Sequence, residues 1–115
     1  IENWSALAGK PILITEWYAM AEDSDLPVDE FGAGFPVRTQ ADRAKFYQHF
    51  SLGLLQIPSC IGWHWFKYRD SRNNAGIVDD ENEPYDVLWE SMGEINQQAY
   101  SLVHHFDHQR ENKKE

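Results

Sequence analysis

The chain has 115 residues, which is enough for one domain or for part of a larger one. Its formal net charge of −9, from 19 acidic against 10 basic residues, argues against nucleic acid and anionic membranes as partners, because both attract basic surfaces. No apolar stretch is long enough to span a membrane, and the single cysteine, Cys60, excludes an internal disulfide.

The first predicted elements are the end of a helix and a strand. Residues Ile1–Gly9 are expected to end a helix, with Gly9 in left-handed geometry after it. Pro11 can begin a strand without losing a ladder hydrogen bond, and the run Ile-Leu-Ile-Thr that follows does not alternate with polar residues. This pattern predicts a parallel strand covered on both faces. Glu16 follows it at once, at the end where α/β sheets bind ligands.

A loop and a helix come next. Residues Tyr18–Arg38 contain prolines, glycines and five acids, and also too many apolar groups for a solvated linker, so we expect an ordered loop over the edge of the sheet. Thr39 and Asp42 form a short capping box at the start of a helix that Pro58 stops. Its predicted apolar stripe is Phe46, Phe50, Leu54 and Ile57.

The second half of the chain repeats this order. Residues Cys60–Phe66 form a second β-prone run, followed by a polar loop and the short extended piece Ile77-Val78. Pro84 suits the first turn of a long helix that frays near His108 and leaves a charged, flexible tail over residues 109–115. The buried face of that helix is expected to carry Val87, Leu88, Ile95, Leu102 and Val103.

The predicted fold class is therefore α/β, with a βαβα unit whose parallel strands are joined by a crossover helix. Two strands cannot close a sheet, and their free edges would expose apolar surface, so we expect no stable monomer of this chain. The chain begins at Ile1 rather than Met. We expect either a fragment of a longer protein or an assembly of several copies.

Glu16 is the main candidate for chemistry, and the alternative is a structural carboxylate paired with Arg38, Arg43 or Arg69. Trp63 and Trp65 share one face of the second strand, where they belong either to the core or, for Trp65, to the floor of a binding site. His64 points the other way and is either a structural group or an acid or ligand.

At this point the residues carry a family resemblance. Lys-Pro-Ile-Leu-Ile-Thr-Glu-Trp, ending at Trp17, resembles the seventh strand of the retaining glycoside hydrolases of clan A, which are (β/α)8 TIM barrels. Ile-Gly-Trp-His-Trp-Phe-Lys-Tyr-Arg-Asp, ending at Asp70, resembles their eighth strand. The His-Trp-Phe-x-Tyr-x-Asp pattern is most similar to β-agarases and related galactan hydrolases. The resemblance covers the chain from Lys10 to about His105.

The resemblance implies that Glu16 is the nucleophile and that Trp65 lines the sugar subsite beside the cleaved bond. The predicted substrate-binding residues are Trp65, Trp17, His64, Tyr68 and Asp70. For Tyr68, Arg69 and Asp70, the alternative is a surface ion pair.

Residues 1–108 would be the C-terminal portion of the barrel. The acid/base glutamate of the clan closes the fourth strand, which this chain lacks, so we expect it to be inactive alone.

The partner implied is an oligo- or polysaccharide, together with the remaining barrel segments or further copies of the chain, and the location would be secreted or periplasmic. We predict no metal and no cofactor, because the acidic turn Asp79–Glu83 lacks the spacing of a calcium loop and the histidines near His108 lack a second ligand cluster. Two other classes stay open, namely a sugar-binding piece without catalysis and a structural fragment that oligomerises through its strand edges.

Overall fold

The computed structural model describes residues 1–28 and 34–114, and this part of the chain has a mixed α/β fold with parallel strands. No helix within it is both long and apolar enough to cross a membrane. Its elements, in chain order, are α1 (Glu2–Ala8), β1 (Ile12–Ile14), β2 (Ala19–Ala21), β3 (Phe35–Val37), α2 (Gln40–Leu55), β4 (Cys60–Trp63) and α3 (Asp86–Lys113).

The first sheet consists of β1 and β4, which pair in parallel with Ile12 opposite Cys60 and Ile14 opposite Trp63. Parallel neighbours need a long crossover, and α2 provides it, as the sequence predicted. α1 also ends as predicted, with Gly9 in the left-handed region at φ 59°. Both strands are shorter than expected, because β1 ends at Ile14, before Thr15, and β4 ends at Trp63, before His64.

A second parallel pair lies inside the segment Tyr18–Arg38, which the sequence predicted as a loop. β2 and β3 pair in register over all three residues, and every residue of β2 is buried. The loop prediction is therefore wrong for these two stretches, because burial rather than β-propensity stabilises the strand Ala-Met-Ala. The acids Asp29 and Glu30 lie outside the described residues.

α2 begins with the predicted capping box. The Thr39 hydroxyl accepts a hydrogen bond from the Asp42 amide at 3.1 Å, and the Asp42 carboxylate accepts one from the Thr39 amide at 3.2 Å. The buried face of the helix differs from the predicted stripe, because Phe46, Phe50 and Ile57 are only half-buried. The side chains that are buried along it are Arg43, Ala44, Tyr47, Ser51, Leu54 and Leu55.

α3 differs from its prediction at both ends. Tyr85 is its N-cap, so Pro84 lies before the helix instead of in its first turn. The helix also continues past His108 to Lys113, and Arg110 donates a hydrogen bond to the Gln56 carbonyl at 2.8 Å near the end of α2. The division at residue 108 into a barrel portion and a flexible tail stays a prediction.

The main core cluster lies between the first sheet and the two long helices. Leu88 and Ile95 are buried as predicted, but Val87 is 51% exposed, so the prediction is wrong for Val87. The cluster consists of Trp17, Tyr47, Leu88, Met92 and Ile95.

The sheet itself is covered on one face only. Ile14 and Trp63 pack against the core cluster, whereas Leu13 is 44% exposed and Ile61 is 69% exposed. The prediction of a strand covered on both faces is therefore wrong for β1 within the described residues, where no second layer lies over Leu13. Apolar side chains of this sheet therefore meet solvent in the described part of the chain.

We expect Thr39→Ala to lower the free energy of unfolding by about 1 kcal/mol, because it removes the acceptor for the Asp42 amide. Thr39→Ser keeps a hydroxyl at the same place and is the matched control. The two variants should be compared with the unmodified protein by urea denaturation. Equal midpoints for the alanine and serine variants would contradict a stabilising role for the cap.

Candidate active site

The two strands of the first sheet bring Glu16 and Trp65 side by side. Beyond the regular ladder, the His64 amide donates to the Ile14 carbonyl at 2.8 Å and the Phe66 amide donates to the Trp17 carbonyl at 3.0 Å. Glu16 and Trp65 lie between these two hydrogen bonds on adjacent segments. The carboxyl ends of both strands therefore meet at one edge, which is the edge where parallel sheets place their ligands.

The Glu16 side chain is exposed to solvent. Within the described residues it forms no ion pair, so the predicted alternative of a structural carboxylate paired with an arginine is not what the structure contains. Arg43 is engaged elsewhere, and Arg69 donates to the Asp80 carbonyl. An exposed carboxylate without an ion-pair partner is accessible to a ligand.

Trp65 is half-buried and is held from several sides. Its indole N–H donates to the Ala75 carbonyl at 2.8 Å, and its ring meets that of Trp17 edge-on with centroids 5.2 Å apart. Trp17 is only 7% exposed and stacks on Phe50 at 4.3 Å and on Tyr47 at 5.4 Å. Burial gives Trp17 a packing role between β1 and α2, whereas Trp65 keeps part of its ring accessible.

His64 and Tyr68 both reach solvent near this edge. The His64 side chain is exposed, and Tyr68 is 61% exposed. The Tyr68 carbonyl accepts from the amides of Ile77 and Val78 at 2.8 and 2.9 Å, which fixes the loop while leaving the phenol free.

Asp70 is 3% exposed, so the surface ion pair considered for it is wrong. One of its oxygens accepts from the Gly76 amide at 2.6 Å, and the other accepts from Asn74 Nδ2 at 3.1 Å and from the Tyr85 hydroxyl at 2.5 Å. Burial and the hydrogen bond to Asp70 raise the pKa of Tyr85. The visible role of Asp70 is to close the loop between β4 and α3.

Gly76 is required at this turn for lack of space. A Cβ atom there would overlap backbone atoms of Asp70 and Val78. The close approach lets the Gly76 amide reach the buried carboxylate and leaves its carbonyl for the Arg43 guanidinium, which donates to it at 2.6 Å. Asp70 thus binds the Gly76 amide and Arg43 binds the Gly76 carbonyl, so both side chains hold the same short loop.

The described residues contain no group of three or more histidine, cysteine or acidic side chains that could hold a metal ion. In the acidic turn, Asp79 Oδ1 accepts from the amides of Glu81 at 2.9 Å and Glu83 at 2.8 Å, which is the geometry of an ordinary capped turn. The histidines of α3 are exposed on the helix surface.

Comparison with solved structures places this geometry in a class. No family model matches the chain. The crystal structure of BpGH50 matches it with a TM-score of 0.85 and 43% identity, over 91% of this chain and 23% of that one. A structure described as an exo-β-agarase matches with a TM-score of 0.77 and 29% identity, over 88% of this chain and 14% of that one. The chain therefore resembles a small part of larger glycoside hydrolases.

Among curated proteins, β-agarase B from Vibrio sp. (strain JT0107) is 34% identical over 113 residues, which is 87% of this chain and 11% of the agarase. The chain thus spans about a tenth of this relative and less than a quarter of BpGH50. The resemblance to β-agarase-like glycoside hydrolases, predicted from two strand motifs, is confirmed. The complete (β/α)8 barrel of clan A stays a prediction, as do the roles of the individual site residues.

The sequence missed the buried polar residues around the site. The sequence indicates Arg43 only as a possible partner for Glu16, and it assigns no role to the side chains of Asn74 and Tyr85. One signal was available, because Arg43, Tyr47 and Ser51 follow one another at a spacing of four on α2 and so share a helix face. A polar residue on that face is hard to recognise as buried from sequence alone.

We expect Asp70→Asn to destabilise the fold by about 2–4 kcal/mol. The asparagine NH2 group would replace one carboxylate oxygen that now accepts hydrogen bonds, so a buried donor would face another donor. Asp80→Asn, at an exposed carboxylate in the next turn, is the matched control. Urea denaturation measures the difference, and the tyrosinate absorbance should show the pKa of Tyr85 moving down in the Asp70 variant. Equal unfolding midpoints for the two variants would contradict the role given to Asp70.

Proposed function

We propose that this chain is the C-terminal part of a retaining β-glycoside hydrolase with a (β/α)8 barrel, acting on agar-type galactan, and that Glu16 is its nucleophile. The observation that carries the proposal is the exposed Glu16 carboxylate, free of ion pairs within the described residues, beside Trp65 at the carboxyl end of two parallel strands. The similarity to β-agarases supports the substrate class.

In the proposed reaction, the Glu16 carboxylate attacks the anomeric carbon while a second carboxylic acid protonates the leaving oxygen. A covalent glycosyl-enzyme results, and water attacks it after losing a proton to the same second group, which restores Glu16 and retains the anomeric configuration. The second carboxyl group should stand about 5 Å from Glu16. We place it outside these 115 residues, so the chain alone should not turn over substrate.

The remaining residues divide by their exposure. Trp65 is half-buried and His64 and Tyr68 are exposed, and we propose that these three residues contact the sugar by stacking and by hydrogen bonds. Trp17 and Asp70 are buried, and we propose that they serve the site by supporting Trp65 and the loop after β4. Carbohydrate is thus the proposed partner, with the rest of the barrel supplied by further polypeptide or by other copies.

Glu16→Gln should abolish hydrolysis of agar-type oligosaccharides, with a loss in kcat on the order of 10⁴-fold or more, because an amide cannot act as the nucleophile. Binding should persist, because the amide keeps the size of the carboxylate. Glu90→Gln, at an exposed position of α3, is the matched control and should leave kcat unchanged. The assay uses the protein at its native length, with calorimetry for binding and NMR for the anomeric product.

Three outcomes separate the candidate functions. Loss of turnover with retained binding supports a nucleophile, whereas binding without turnover in the unmodified protein at native length favours a sugar-binding module. Product of inverted configuration would contradict the retaining mechanism even if Glu16 proved essential, because inversion assigns the carboxylate a different role.

Intact mass spectrometry combined with light scattering should give a solution mass well above the 13.4 kDa of this chain, because the bare face of β1 and the free strand edges need cover. A longer polypeptide would supply the missing carboxylic acid in the same chain. A defined oligomer of the short chain would instead favour a barrel assembled from copies. A folded monomer of 13.4 kDa would contradict the barrel proposal.

A further inference from the structure

A buried cation lies behind the candidate site. The Arg43 side chain, on the first turn of α2, is fully buried, and all of its nitrogens donate to other groups. Nε donates to the Ala19 carbonyl at 2.8 Å, Nη1 to Gln40 Oε1 at 2.8 Å and Nη2 to the Gly76 carbonyl at 2.6 Å. Two aromatic rings lie near its guanidinium carbon, that of Trp65 at 5.7 Å and that of Tyr85 at 5.2 Å.

The arginine has no ion pair among the described residues, so its burial is expensive in free energy. Burial lowers the pKa of Arg43 to about 10, against the opposing effect of the Asp70 charge, and the side chain is still a cation at neutral pH. An apolar residue would fill this space on α2 without the desolvation cost. The presence of a buried charge here therefore indicates that Arg43 has a role that an apolar side chain could not perform.

The groups that Arg43 contacts come from both sides of the site. Ala19 begins β2, three residues after Glu16, and Gly76 closes the loop that follows Trp65. The planar guanidinium joins the two backbone carbonyls in fixed geometry, which a lysine ammonium on a flexible stem cannot do. The Trp65 indole N–H binds the Ala75 carbonyl, next to the carbonyl that Arg43 holds.

We propose that Arg43 is a positioning residue that fixes the Trp65 indole and its loop relative to Glu16, so that a sugar ring on Trp65 presents its anomeric carbon to the carboxylate. The proposal rests on the function proposed above and goes beyond it by assigning a residue that touches no substrate. Arg43 acts through Trp65 and through the strand after Glu16. Small displacements of reacting groups are costly, since about 1 Å can lower a rate by about 100-fold.

The test replaces Arg43 by lysine, which keeps the charge and loses the planar fork. At the native length of the protein and well below its unfolding temperature, Arg43→Lys should lower kcat by about tenfold to 100-fold. Arg110→Lys is the matched control, because Arg110 also donates to a carbonyl but lies at the far end of α3. In a Trp65→Phe background, Arg43→Lys should cost little more, because the two substitutions act on the same step.

A second measurement is independent of activity. The indole N–H of Trp65 donates to Ala75 and that of Trp63 donates to the Tyr47 hydroxyl at 3.1 Å, so each has its own NMR signal and hydrogen-bond partner. Arg43→Lys should speed hydrogen exchange at the Trp65 indole by about tenfold or more and leave the Trp63 indole unchanged. If Arg43→Lys does not fold, Gln40→Met takes its place, because it removes one of the three acceptors of Arg43.

Unchanged exchange at Trp65, or equal acceleration at Trp63 and Trp65, would overturn the proposal, because Arg43 would then be a stabilising residue without a directional role. The same conclusion follows if Arg43→Lys lowers only the unfolding temperature and leaves kcat intact. Failure of the proposed function is a different result, since it would appear as full activity in Glu16→Gln, whatever the exchange at Trp65 shows.

Discussion

Parallel pairing of β1 with β4 is the constraint on which the rest of the described structure depends. Because parallel strands run in the same direction, their carboxyl ends lie at the same edge, and Glu16 and Trp65 meet there although 48 residues separate them in the chain. The pairing also requires a crossover, which α2 supplies, and it sets the layer on which α2 and α3 pack. Every candidate site residue is positioned relative to this one pair of strands.

Polar contacts rather than apolar ones organise the space behind the site. Asp70 and Arg43 hold the amide and the carbonyl of Gly76, and Arg43 also reaches the strand that follows Glu16. Such a network is rigid only when its members are satisfied, and here each oxygen of Asp70 and each nitrogen of Arg43 has a partner. The Trp65 ring packs against the Arg43 guanidinium and against Trp17, which explains how a small sheet can hold a half-buried indole in place.

Where sequence reasoning succeeded, a local rule was sufficient. The capping box at Thr39 and the left-handed Gly9 depend on a few neighbouring residues, and both are present. It failed where distant contacts decided the outcome. β2 is a strand because its residues are buried beside β3, and α3 extends past His108, where Arg110 reaches Gln56 at the end of α2. Neither contact has a local signature.

The sequence by itself determined that a carboxylate and an aromatic residue end an apolar strand, that a second aromatic strand follows a helix, and that both motifs resemble β-agarase-like glycoside hydrolases. These features depend on residue types and their spacing along the chain, and both can be analysed without a structure. Only the tertiary structure decided that Glu16 is exposed without an ion pair among the described residues, that Asp70 is buried, and that Arg43 joins the two sides of the site. Burial and hydrogen-bond partners depend on residues far apart in the chain, and they exist only once the strands and helices have packed.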